Sequence, residues 1–166
     1  MEEDVVKNVR CGAVALIIAF AAGTGIVIPT GAQAAPTYWT FHNFRFNTCL
    51  TGGDSGTAFG TLCNGADRQD WDWVGSGDWK QLKNRETGLC LMTDNKTDVN
   101  AVWTSSCNSA ADGQRWYYTA NLFRLQGMLG SGNESLVRTS DVKDAIYATD
   151  GGQVEETYYQ WDGLHN

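Results

Sequence analysis

Three short phrases that end in tryptophan decide the fold of this chain: Gln69-Asp70-Trp71, Gln114-Arg115-Trp116 and Tyr159-Gln160-Trp161. The three tryptophans stand 45 residues apart. A fixed period of this length is typical of one supersecondary unit that is repeated along the chain. The spacing therefore predicts three copies of one unit, with approximate bounds 36–76, 77–120 and 121–166.

The first 34 residues have the pattern of an export signal. Lys7 and Arg10 precede an apolar run over residues 12–28, and Ala32-Gln33-Ala34 is the small-x-small pattern after which signal peptidase cuts. A permanent membrane anchor is the alternative, because a run of 17 residues is close to the shortest that spans a bilayer. The run is rich in Gly and Ala and no basic cluster follows it, which favours cleavage. We expect a secreted, extracellular protein with a signal peptide at 1–34 and a domain at 35–166.

The charge of the domain argues against two kinds of partner. The leader holds two of the 12 basic and three of the 19 acidic residues, so residues 35–166 carry a net charge of −6. An acidic surface repels phosphate groups, so we expect neither nucleic acid nor an anionic membrane as a partner.

Four cysteines remain outside the leader, and an even number in an exported domain predicts disulfide bonds. Cys49 and Cys63 lie in the first copy and Cys90 and Cys107 in the second, so the repeat symmetry favours the pairs Cys49–Cys63 and Cys90–Cys107. Loops this short contribute about 3 kcal/mol each to stability in the chain-entropy model. A zinc site is the alternative, but no CxxC or HxxxH spacing occurs, so we expect no metal and no cofactor.

Short β-rich segments alternate with Gly, Asn, Asp and Ser turns throughout the domain. They predict twelve strands, four in each copy, at residues 38–46, 49–51, 58–62, 69–74, 79–82, 90–93, 101–104, 116–119, 121–125, 136–139, 145–148 and 158–161. A unit of about 45 residues is too small to hold its own core, so the three copies must share one. The predicted fold class is all-β, with the copies closed around a common axis.

The second copy carries a family resemblance. Its segments read Asn-Arg-Glu-Thr-Gly-Leu-Cys-Leu at 84–91, Ala-Val-Trp-Thr-Ser-Ser-Cys-Asn at 101–108 and Gln-Arg-Trp at 114–116. This resembles one repeat of the ricin B-type (QxW)3 lectins, and the other two copies echo it over the rest of the domain. The resemblance implies a β-trefoil with threefold pseudo-symmetry, whose repeated tryptophans pack in the core. It also implies carbohydrate binding in shallow pockets, up to one per copy.

The sugar-contact positions of that family are substituted in this chain. The family pattern has an aspartate directly after Cys-Leu, where this chain has Thr51, Met92 and Val137. The stacking aromatic, two residues before the second cysteine, is also missing. Sugar recognition needs an aromatic face together with paired hydrogen-bonding groups, so the substitutions predict weak binding at most.

Substitutes for the lost groups occur in each copy. The candidate carbohydrate-binding residues are Asp54, Phe59 and Asn64 in the first copy, Asp94, Trp103, Asn108 and Gln114 in the second, and Asp141 and Tyr147 in the third. Each acid could instead be a solvated turn residue, and Trp103 could be a core residue of a strand. Gln69 and Gln114 are expected to bond to backbone within their own copies.

Aromatic residues are more numerous than three core positions require. Some of the additional rings could form an exposed aromatic surface. These rings are Trp39, Trp73, Trp79, Tyr117, Tyr118, Tyr158 and Tyr159.

Catalytic motifs are missing from the sequence. His42 and His165 are the two histidines, and neither a GxSxG motif nor a metal-ligand spacing accompanies them. We therefore expect a non-enzymatic, monomeric, lectin-like protein that recognises a polysaccharide or a cell-surface glycan. The alternative is a secreted protein-binding trefoil, such as an inhibitor or a toxin accessory subunit, which the loss of the aspartates favours. A degenerate extracellular protein without a ligand is a third possibility.

Overall fold

The structure is a computed structural model that describes residues 37–129, 135–142 and 144–165, with Ser135 described by its backbone alone. The expected signal peptide at 1–34 lies outside the described residues. Within the described ranges, no helix is long and apolar enough to cross a membrane.

Twelve short strands form the described part of the domain, as the turn pattern predicts. They are β1 (Trp39–Asn43), β2 (Thr48–Gly52), β3 (Ala58–Leu62), β4 (Trp71–Val74), β5 (Gln81–Asn84), β6 (Cys90–Thr93), β7 (Val99–Ser105), β8 (Trp116–Thr119), β9 (Arg124–Gly127), β10 (Ser135–Thr139), β11 (Ile146–Thr149) and β12 (Trp161–His165).

Some predicted strand boundaries are wrong, because tight turns lie where strands were expected. Gln69 ends a 3-10 turn (Asp67–Gln69), in which the Asp70 N–H donates to the Asp67 carbonyl. The expected strand at 158–161 is divided between a one-turn helix, α1 (Glu156–Tyr159), and β12. Another 3-10 turn (Ala120–Leu122) and a left-handed Phe123 (φ 55°) precede β9.

Six strands close into a barrel. β1 pairs with both β12 and β4, β4 pairs with β5, and β8 pairs with β9, all antiparallel. Two bridges complete the ring, Lys80 with Trp116 between β5 and β8, and Arg124 with Gln160 between β9 and β12. Closure leaves no open barrel edge, which protects a β-protein from aggregation.

The other six strands form three hairpins that cover one end of the barrel. The hairpins are β2–β3, β6–β7 and β10–β11. β7 pairs with β11, Thr57 bridges to Trp103, and the Gly60 N–H donates to the Asp144 carbonyl at 2.9 Å, so each hairpin contacts the other two. A six-stranded barrel covered by three hairpins is a β-trefoil.

The core repeats in threefold layers, as the tryptophan spacing predicts. The side chains of these layers are completely buried: Trp71, Trp116 and Trp161 in one, Phe41, Leu82 and Leu125 in the next, and Leu50, Leu91 and Val137 under the hairpins. Each indole N–H donates to a carbonyl of the hairpin in its own copy. The acceptors are Leu50, Leu91 and Val137, at 3.0, 2.8 and 2.9 Å.

Both predicted disulfides are confirmed. Cys49 bonds to Cys63 and Cys90 bonds to Cys107. Each bond joins the first strand of a hairpin to the segment that leaves it, which constrains the first two hairpins.

A buried side chain two residues before each core tryptophan holds the segment that leaves the hairpin. The Gln69 amide donates to the Leu62 carbonyl at 2.9 Å and accepts from the Asn64 N–H at 2.9 Å. In the third copy Tyr159 has this role, because its hydroxyl donates to the Asp150 carbonyl and accepts from the Gln153 N–H. A phenol therefore replaces the glutamine amide while two backbone groups remain bonded.

We expect Tyr159→Phe to lower the free energy of unfolding by about 1–2 kcal/mol, because it removes a buried hydroxyl with backbone partners. Chemical denaturation measures the change. Tyr117→Phe is the matched control, since no hydrogen bond joins the Tyr117 hydroxyl to the described residues and the side chain is 41% exposed. Equal effects of the two substitutions would contradict the bridging role.

Candidate functional site

The indole hydrogen bonds identify the equivalent positions of the three hairpins. Because Leu50, Leu91 and Val137 accept these bonds, the next residues, Thr51, Met92 and Arg138, are also equivalent. The sequence-based alignment of Val137 with Thr51 and Met92 is therefore wrong by one residue. Val137 is a core side chain, and Arg138 is the residue of the third copy that is equivalent to Thr51 and Met92.

Strand register places an aromatic residue opposite this position in every hairpin. Thr51 lies opposite Phe59, Met92 opposite Trp103, and Arg138 opposite Tyr147. Phe59, Trp103 and Tyr147 are all partly exposed. The three aromatics proposed from the sequence thus share one structural position, although the surroundings differ.

In the first hairpin the candidate acid, Asp54, forms an ion pair with an arginine. Both oxygens of the Asp54 carboxylate accept from Arg68 Nη2 at 2.7 Å, and Arg68 Nε donates to Glu86 at 2.8 Å. Hydrogen bonds to Asp54 and then to Glu86 raise the pKa of the Arg68 guanidinium. A sugar hydroxyl would have to compete with Arg68 for Asp54.

In the third hairpin an arginine covers the aromatic ring. The Arg138 guanidinium lies 5.5 Å from the centroid of Tyr147 and donates from Nη1 to the Thr139 carbonyl. Asp141 accepts a short hydrogen bond from the Tyr158 hydroxyl. This bond, together with burial, raises the pKa of Tyr158. Both candidates of the third copy, Asp141 and Tyr147, therefore have partners within the protein.

In the second hairpin no arginine among the described residues pairs with the candidate acid or lies over the candidate aromatic ring. Trp103 alternates with the buried Val102 and Thr104, so its indole lies on the outer face of β7. Asp94 follows the end of β6 by one residue, which places it diagonally across from Trp103, at a distance of about 7–8 Å in regular strands. The Asp94 carboxylate is 29% exposed, and its ion pair is with Lys96, whose side chain is 77% exposed. An exposed pair of this kind is weak.

The candidate amides act inside the protein. Gln114 is 1% exposed; its amide group donates to the Ser106 carbonyl and accepts from the Asn108 N–H at 2.7 Å. The side-chain oxygens of Asn64 and Asn108 accept from the N–H groups of Ala66 and Ala110, and both asparagines are exposed. Gln114 shapes the loop, whereas Asn64 and Asn108 remain at the surface.

Two arginines that were not among the candidates from the sequence determine which groups the first and third hairpins can offer to a ligand. Arg68 neutralises Asp54, and Arg138 covers Tyr147. Arg138 could have been identified by aligning Val137 with the two leucines, because all three are apolar. No sequence signal links Arg68 to Asp54. Among the described residues, no group of three or more His, Cys, Asp or Glu side chains could hold a metal ion.

No known protein-family profile matches the sequence, and no curated protein sequence does. Among solved structures, the designed threefold-symmetric protein ThreeFoil is similar with a TM-score of 0.63 and 18% identity, over 76% of this chain and 97% of ThreeFoil. A ricin B-like lectin from Macrolepiota procera, solved with lactose, has a TM-score of 0.60 and 15% identity, over 81% of this chain and 98% of the lectin.

A third similar structure is an endo-β-galactosidase from Clostridium perfringens, with a TM-score of 0.62 and 15% identity. It is matched over 78% of this chain but only 32% of the enzyme. At such low identities the likeness establishes the fold alone, and this fold is the β-trefoil.

We expect the free energy of unfolding to fall as the pH rises above about 10, the ordinary pKa of tyrosine. The Asp141 hydrogen bond raises the pKa of Tyr158, and burial raises that of Tyr118, so the unfolded chain loses these protons at a lower pH than the folded protein. Their stabilising effect is complete below pH 10 and is lost as the pH passes the folded-state values.

Thermal unfolding between about pH 8 and pH 11 measures this dependence. Tyr158→Phe should flatten the alkaline part of the curve because it removes the titrating group. Asp141→Asn should flatten it as well, since it removes the largest cause of the Tyr158 shift. Unchanged alkaline slopes in both variants would refute the assignment.

Proposed function

We propose that this protein is a secreted, lectin-like carbohydrate-binding protein, and a divergent member of the ricin B-type (QxW)3 lectins. The observation that carries the proposal is the outer face of the second hairpin, where Trp103 lies in β7 and Asp94 directly follows β6, the strand that pairs with β7. The indole would stack on the C–H face of a pyranose ring, and the carboxylate would accept hydrogen bonds from adjacent hydroxyls.

The other two hairpins explain why we expect weak binding. Arg68 binds both oxygens of Asp54 and also Glu86, and Arg138 lies over the ring of Tyr147, so a sugar at the first or third hairpin competes with an arginine. At the second hairpin it competes with a single ion pair, from the exposed Lys96 to Asp94. Lectins of this architecture gain affinity by engaging several pockets at once. With arginines at two of the three hairpins, a monomer lacks most of that gain at its hairpin sites.

Secretion and the lack of catalysis belong to the same proposal. Disulfides persist in oxidising compartments, so the bonds at Cys49–Cys63 and Cys90–Cys107 favour an extracellular location. We propose that the protein acts by binding alone, on a polysaccharide or a cell-surface glycan.

Trp103→Ala should weaken glycan binding at least about fivefold, which corresponds to the loss of about 1 kcal/mol of stacking. A glycan array and polysaccharide pull-down assays identify the glycan, and isothermal titration with it compares the variants. Trp103→Phe should retain part of the affinity because it keeps an aromatic face.

The matched control is Phe59→Ala, which removes the equivalent ring of the first hairpin. This substitution should leave the affinity within about twofold, since Arg68 already occupies the acid of that pocket. Binding to no glycan at all would refute the proposed function, and equal losses in both variants would refute the second hairpin as its site.

The alternative is a trefoil that binds a protein, as an inhibitor or a toxin accessory subunit does. Its support is that none of the equivalent positions Thr51, Met92 and Arg138 carries a carboxylate. Free sugar separates the two functions, because it competes with a glycan for the protein but leaves a protein–protein contact unaffected.

A further inference from the structure

Four aromatic side chains line a cavity at the end of the barrel opposite the hairpins. Its volume is about 290 Å³, and its walls come from β1, β4, β8 and the turns that follow β4 and β8. The lining residues that matter for its chemistry are Trp39, Trp73, Asp78, Lys80, Tyr117 and Tyr118. These include four of the aromatics that exceed the needs of the core.

A break in the threefold symmetry fixes the floor of this cavity. Trp73 and Tyr118 each lie two residues after a core tryptophan, and the third equivalent position is Gly163. A Cβ atom at Gly163 would lie 2.8 Å from the Tyr118 ring, so the glycine is required for the ring to cross the barrel. The Tyr118 hydroxyl then donates to the Trp161 carbonyl and accepts from the Gly163 N–H at 2.8 Å. The ring is held at both ends.

The other rings of the floor are also held in place. Tyr118 lies edge-on to Trp39, with ring centroids 5.8 Å apart, and edge-on to the fully buried Phe41 at 5.4 Å. Trp73 is perpendicular to Phe41 at 6.1 Å. Trp39, Trp73 and Tyr118 all pack against the core and are still partly exposed. Such fixed rings give a preorganised contact surface, which reduces the entropy lost on binding.

Polar groups at the wall of the cavity are available to a ligand. Neither Asp78 nor Lys80 forms a side-chain hydrogen bond or an ion pair with any other described residue, although both line the cavity. The backbone of Lys80 is fixed by reciprocal hydrogen bonds with Trp116, at 3.0 and 2.7 Å. Asp78 follows Gly77, whose φ of 79° suits a tight turn. A carboxylate acceptor and an ammonium donor thus border an aromatic floor.

We propose that this cavity is a second carbohydrate-binding site, which takes one neutral pyranose ring of a glycan. The proposal rests on the proposed carbohydrate-binding function but uses a different surface from Trp103. The C–H face of the sugar stacks on the aromatic floor, while Asp78 accepts from and Lys80 donates to its hydroxyls. An aliphatic chain cannot bond to either charged group, whereas sugar hydroxyls can bond to both, which favours a sugar over a lipid chain.

Tryptophan indole N–H signals in a nitrogen–proton correlation NMR spectrum report on ligand binding at both proposed sites in one experiment. The chain has seven tryptophans, and three of them are fully buried, so Trp39, Trp73 and Trp103 can be assigned by substitution and followed separately. The probes are the methyl glycosides of galactose, glucose, mannose and N-acetylglucosamine, titrated into the folded protein.

We expect the Trp39 and Trp73 signals to move saturably with at least one glycoside. Tyr117→Ala and Asp78→Asn should each weaken this response at least about fivefold. Both residues lie at the rim, so the barrel core is left intact. Asp72→Asn is the matched control, because it neutralises an exposed acid of β4 that does not line the cavity.

The possible outcomes separate this site from the hairpin site. We call the cavity lined by Trp39, Trp73 and Asp78 the barrel-end site, and the surface around Trp103 the hairpin site. A change in the Trp103 signal alone would overturn the barrel-end site and leave the proposed function standing. Changes in the Trp39 and Trp73 signals alone would support the barrel-end site and refute the hairpin site. A response that Tyr117→Ala and Asp78→Asn leave unchanged, or no response of any signal to any glycoside, would overturn the barrel-end site.

Discussion

The structure depends on one hydrogen bond that is made three times, from the indole N–H of a buried tryptophan to a carbonyl of the hairpin in the same copy. Trp71, Trp116 and Trp161 are completely buried, so an unpaired indole N–H at any of them would be costly. The bond fixes the height of each hairpin above the barrel. It therefore also fixes the position of the residue that follows the acceptor, which is where the chemistry of the three copies diverges.

The barrel could be predicted from the sequence because its determinants are local and periodic. Tryptophan spacing, paired cysteines and turn residues each act within one copy, and together they predict twelve strands that share one core. Individual boundaries fail where a residue with strand propensity lies in a tight turn, as Tyr158 does in α1. Loss of both cysteines from the third copy removed the markers that align it, which produced the error at Val137.

The candidate site was less predictable because contacts between distant residues decide it. Phe59, Trp103 and Tyr147 could be selected as aromatics near the second strand of each hairpin, and strand register places them at one position. Whether a hairpin is open to a ligand also depends on contacts such as the ion pair of Arg68 with Asp54, which no local sequence pattern indicates. Arg68 lies 14 residues from Asp54, and the two meet only because the intervening hairpin folds back.

Positions that follow the threefold symmetry and positions that depart from it have different roles in this fold. Positions that remain threefold equivalent, such as the core tryptophans, are those that every copy needs for packing. Where one copy departs from the others, the residue is set by contacts of that copy alone, and the departure can create a new surface. Gly163 illustrates this, because the missing side chain allows Tyr118 to cross the barrel and form the floor of the aromatic cavity. The second hairpin departs in another way, since its acid pairs with an exposed lysine and not with an arginine or a tyrosine. The equivalent positions thus keep the stability of the fold, while both sites that we propose lie where equivalence has been lost.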